Sequence, residues 1–87
     1  MYYFNFPPYI KETTVEEEEL HLVGEVAEVM NETFPRSKII ETLDVIHTAE
    51  TLLRAIIKQD SIDQRVLDDC YDFVIKKNKE RGYYGKQ

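Results

Sequence analysis

Two acidic pairs stand out in the first half of the chain, Glu25/Glu28 and Glu41/Asp44. Each has i,i+3 spacing, which on a helix sets both carboxylates on one face, about 60° apart. Phe34-Pro35 lies between them, and a proline there interrupts a helix. Residues 25 and 44, like 28 and 41, are symmetric about that break. A chain folded back at this point as an antiparallel helical hairpin sets Glu28 level with Glu41 and Glu25 level with Asp44. Four carboxylates then converge on one patch. Like charges so close repel, and a divalent cation reverses the sign of that interaction. An all-oxygen carboxylate set suits a hard ion, Mg2+ or alternatively Mn2+. The plain counter-reading is a solvated acidic surface, the commonest place for helix glutamates.

The first positioning helix is expected to open after Thr14, where T-V-E-E offers a capping box with Glu17. Glu16 to Glu19 fall in its first turn, where the helix dipole favours negative charge. Leu20, Leu22, Val23, Val26, Ala27, Val29 and Met30 share an apolar arc; Glu25 and Glu28 lie opposite with His21 and Glu32. Fraying is expected around Asn31 to Thr33. Ser37 is the expected cap of a second helix running to about Gln59. Its apolar arc includes Leu43, Ile46, Leu53 and Ile57, and its other arc holds Glu41, Asp44, Thr48, Thr51 and Ala55. Small residues beside acids leave room for a ligand, or equally mark close helix packing. Ser61 with Gln64 forms another capping box, opening a third helix to about Arg81. Its stripe of Ile62, Val66, Cys70, Phe73 and Val74 continues at i+4 to Lys77 and Arg81, and Gly82 stops it.

Eighty-seven residues make one domain near the lower limit for a self-sufficient core. The apolar arcs of the first two helices are wider than one neighbour covers, so more helices from other copies are expected. The fold class is therefore all-α: a hairpin plus a third helix, forming a helical bundle on oligomerisation. Residues 1–12, with Tyr2, Tyr3, Phe4, Phe6, Tyr9 and Pro7-Pro8, read as an extended aromatic arm, 13–84 as the helical domain and 85–87 as a tail. The arm's rings are expected to pack on the body or a second subunit, or to offer one ring to a nucleobase. The net charge of -6 argues against a nucleic-acid polymer as partner. The charge is uneven, however: residues 76–87 hold five bases against one acid, Glu80. The single cysteine, Cys70, reads as a small core residue in a reducing compartment. Neither a signal peptide nor a membrane span is legible, so a cytoplasmic protein is expected.

The pattern Glu25-Val-Ala-Glu28, twelve residues, Glu41-Thr-Leu-Asp44 resembles the MazG-like nucleoside triphosphate pyrophosphohydrolases of the all-α NTP pyrophosphatase superfamily. The ending K-K-N-K-E-R-G-Y-Y (76–84) resembles their C-terminal part, and the resemblance covers about residues 15–84. It departs at Gly24, where many members carry another glutamate. The resemblance implies Mg2+-dependent hydrolysis of an NTP or dNTP to the monophosphate and pyrophosphate. Glu25, Glu28, Glu41 and Asp44 would hold metal, and Glu25 or Glu28 would activate water. Lys77, Asn78 and Arg81 would contact the phosphates, in a pocket shared between subunits of a homodimer or homotetramer. Two alternatives stand beside it. One is a non-catalytic nucleotide-binding or regulatory module of the same kind. The other is a di-iron carboxylate protein, from the acid-x-x-His spacings Glu18/His21 and Asp44/His47.

Overall fold

The computed structural model describes residues 5–85. Tyr2, Tyr3 and Phe4 of the arm, and the last two residues of the tail, lie outside them. The described chain is all-α: α1 (Val15–Asn31), α2 (Pro35–Gln59) and α3 (Gln64–Glu80), with no strand among the described residues. Thr14 caps α1 through the full capping box with Glu17, as the sequence predicts.

Two helix starts differ from expectation. Helix α2 begins at Pro35 with Phe34 as N-cap, not at Ser37. Proline's fixed φ and missing N–H suit the first helical turn, so the residue that ends one helix starts the next. The third helix is capped by Asp63 rather than Ser61; the Asp63 side chain accepts from the Arg65 N–H at 2.8 Å. Ser61 is spent closing α2. Its φ is +50°, its N–H donates to the Lys58 carbonyl, and the next N–H, of Ile62, reaches Ile57. Helix α3 ends at Glu80, and Gly82 takes the left-handed conformation beyond it (φ +78°).

The hairpin of α1 and α2 is closed over its polar arcs. The four buried residues among those described are Glu18, Thr48, Glu50 and Thr51, and no hydrophobic side chain is buried. Thr48 is 1 % exposed, so the small residues of α2 mark close packing rather than an open ligand space. Leu20 and Met30 on α1 and Ile39 on α2 lie mostly in solvent. Helix α3 comes within 8 Å of neither α1 nor α2, Cα to Cα. Its stripe is correspondingly uncovered: Phe73 is 65 % exposed, and Cys70 is exposed, not the core residue its helical position predicts. The radius of gyration is 15.0 Å, against about 12 Å for a compact domain of this length. Among the described residues no helix is long and apolar enough to cross a membrane.

The arm runs along α2. The Phe6 N–H donates to Glu50 Oε1 at 2.6 Å, and Arg54 Nη2 donates to the Phe6 carbonyl at 2.6 Å and to Asn5 Oδ1 at 3.2 Å. His47 Nε2 sits 3.2 Å from the Pro7 carbonyl, and Lys58 pairs with Glu12. The His47 ring stacks on Phe6 at 4.8 Å and meets Tyr9 tilted at the same separation. Phe6 and Tyr9 thus pack on the body, satisfying the expectation for the arm's described rings.

Candidate metal centre

Folding back at Phe34-Pro35 brings the second turn-and-a-half of α2 against the middle of α1. One carboxylate oxygen from each of Glu25, Glu28 and Glu41 then lies within 4.8 Å of the others. Asp44, the fourth acid of the pattern, falls outside that set and is exposed. Its charge is still felt, since it helps to raise the Glu41 carboxyl and the Tyr9 phenol.

The electrostatics of the cluster are those of crowded negative charge. The Glu28 carboxyl, within hydrogen-bonding reach, holds the Glu41 carboxyl above its ordinary range; partial burial and the charges of Asp44 and Glu25 add to it. The Tyr9 phenol is pushed up by burial first, then by Glu18, Asp44 and Glu25, while a hydrogen bond with Thr51 opposes the shift. Tyr9 therefore brings the arm to the edge of the acidic patch. On α1, His21 bridges two acids, with Nδ1 3.1 Å from Glu18 Oε2 and Nε2 2.9 Å from Glu25 Oε1. The hydrogen bond to Glu18 leads in raising the imidazole above its usual range; burial opposes it and Glu25 assists.

The donor set fits a hard divalent cation on the chain's own geometry. Glu25 Oε2 and Glu41 Oε2 are both shielded from solvent and have no hydrogen-bond partner among the described residues. A buried carboxylate oxygen without a donor is costly. Three oxygens at mutual distances within 4.8 Å, drawn from three carboxylates, are the hard ligands Mg2+ or Mn2+ prefers.

No protein-family model matches this chain, and neither a curated protein nor a solved structure does.

The basic residues singled out in the sequence lie apart from the acids. Lys77, Asn78 and Arg81 ride on or just beyond the end of α3, which approaches neither α1 nor α2, and none of the described ion pairs joins them to the cluster. Lys77 and Asn78 are half-buried and Arg81 is exposed. The histidines do not extend the acidic set either. His21 is hydrogen-bonded between Glu18 and Glu25, and His47 is stacked on Phe6 and tilted against Tyr9; the metal-capable group among the described residues contains neither. Glu18 figures in the sequence only as part of an acidic first turn and of the Glu18/His21 spacing of the di-iron alternative, neither of which predicts its burial; it is 3 % exposed. The signal available was the run Glu18-x-x-His21-x-x-x-Glu25, which stacks three polar groups along one helix face. Tyr9 carried no comparable signal, because its place at the patch depends on how the arm lies along α2.

Proposed function

We propose that this chain is a Mg2+-dependent nucleoside triphosphate pyrophosphohydrolase, converting an NTP or dNTP to the monophosphate and pyrophosphate. The observation that carries the reading is the convergence of Glu25, Glu28 and Glu41 with two buried carboxylate oxygens left without partners. The resemblance of the Glu25/Glu28 and Glu41/Asp44 pattern to the MazG-like enzymes supplies the reaction class. Glu25, Glu28 and Glu41 would hold the ion, with Asp44 completing the set by a side-chain rotation at its exposed position. A divalent ion, Mg2+ or Mn2+, would neutralise charge on the phosphate oxygens and lower the pKa of an attacking water. Of the acids, Glu25 and Glu28 are the candidates to orient or deprotonate that water.

The cationic contribution in this reading comes from a second copy. Lys77, Asn78 and Arg81 would reach the triphosphate across a subunit boundary, giving charge-assisted donors to the phosphates. The uncovered apolar residues Leu20, Val23, Met30, Ile39 and Phe73 supply the reason for assembly as a homodimer or homotetramer. The pI near 4.8 and the lone cysteine fit a cytoplasmic protein that binds no nucleic-acid polymer.

The deciding experiment measures pyrophosphate release from a panel of ribo- and deoxyribonucleoside triphosphates with Mg2+, comparing wild type with Glu41→Ala. Release by the wild type and its loss in the variant are expected. Nucleotide binding without release from any triphosphate would replace the enzyme with a binding module.

A further inference from the structure

One carboxylate of α1 is buried with no lysine or arginine of the described residues paired to it. The Glu18 side chain is 4 % exposed, and its only described polar partner is the imidazole of His21. Removing a carboxylate from water is unfavourable unless a hydrogen bond or an opposite charge compensates it, and here the imidazole supplies both. What this one fixes is the ring. With Nδ1 held by Glu18 at 3.1 Å, the ring turns its Nε2 up the helix to Glu25 Oε1 at 2.9 Å. Glu25 has one oxygen occupied in this way, and the oxygen left over, Oε2, is buried and unpartnered. A helix glutamate ordinarily has several side-chain torsions to sample; here a two-link chain from a buried anchor removes much of that freedom.

Resting on the cation reading of the acidic cluster, we propose that His21, anchored by Glu18, is a positioning residue that aims Glu25 at a divalent ion shared with Glu28 and Glu41. The arrangement is that of an outer shell orienting a ligand, with the imidazole acting on the carboxylate. Tyr9 and Asp44 also face this region, since the Tyr9 phenol feels the charges of Glu18, Asp44 and Glu25. Neither has a described hydrogen bond to Glu25, so the imidazole remains its described clamp.

The test is a Mn2+ titration of the full-length chain at fixed pH, following the electron paramagnetic resonance signal of free Mn2+. Wild type, His21→Ala, His21→Gln and Glu18→Gln are compared. His21→Ala is expected to weaken Mn2+ binding by about tenfold or more, the effect of losing an outer-shell partner. His21→Gln retains an amide donor at nearly the reach of Nε2 and is expected to recover most of the affinity, which a helix-stabilising role alone would not produce. Wild-type binding with His21→Ala within about threefold of it overturns the positioning role and leaves the cation reading standing. No Mn2+ binding by the wild type overturns both. Where circular dichroism shows that His21→Ala does not fold, Glu18→Gln decides: weakened binding supports the proposal and unchanged binding overturns it.

Discussion

Removing the Glu50 carboxylate is expected to release the N-terminal arm while the helical hairpin stays formed. Glu50 is 3 % exposed, and its Oε1 accepts the Phe6 N–H at 2.6 Å while standing 4.0 Å from Arg54 Nη2. A hydrogen bond to a charged acceptor contributes about 1.5–3 kcal/mol. Arg54 is about one-third exposed, so its attraction to Glu50 is partly screened and adds less than a fully buried pair. Glu50→Ala should therefore weaken arm docking by about 3 kcal/mol, which raises the population of the open arm about a hundredfold. Native-state hydrogen exchange at the Phe6 amide reads this directly, since that proton is the one Glu50 holds. Glu50→Gln keeps a carbonyl oxygen for the same N–H and should restore part of the protection. Unchanged Phe6 exchange in Glu50→Ala, with the variant folded, would refute the assignment of Glu50 as the arm's anchor.

Thr48, the most buried side chain of the hairpin, has no room to grow; Thr48→Leu should cost about 1–3 kcal/mol by overpacking, read from the denaturant midpoint. Gly24 lies inside α1, and a Cβ built there meets nothing within 4 Å. Gly24→Ala should accordingly stabilise the chain by about 1 kcal/mol in the same assay. The Asp63 cap sets a pH dependence for α3. The Arg65 backbone N–H, then its side chain, holds the Asp63 carboxyl below its ordinary value. A depressed carboxylate contributes stability that is present above its unfolded pKa and is lost as pH falls through the folded one. Helicity measured by circular dichroism should fall with acid in that window, and Asp63→Asn should flatten this component.

The helices themselves were legible because their signals are local. The Thr14 capping box, the proline break and the left-handed Gly82 all act within a few residues. The convergence of Glu25, Glu28 and Glu41 was also legible, since a symmetric spacing about a turn fixes the register of a hairpin. Asp44 departs from that reading because a level position on two rods fixes Cα height, not the direction of an exposed side chain. Ser37 and Ser61 are good capping residues whose backbones are already committed, Ser37 inside the first turn of α2 and Ser61 to the left-handed turn that closes it. Burial was the least legible property. Periodicity identifies which arc of a helix is apolar but not what lies against it, and here α1 and α2 meet over Glu18, Thr48 and Thr51. The positions of Tyr9 and His47 depend on long-range contacts of the arm that no short window of sequence encodes.

A hairpin whose oily sides are covered only by other copies of itself would have no fixed melting point. Where such sides close against other copies, mass action couples folding to the amount of protein, and dilution alone loosens the structure. Cellular abundance would then set what fraction of chains is competent. A modest drop in synthesis would remove more working protein than it removes polypeptide, because stranded single chains fall to proteases first.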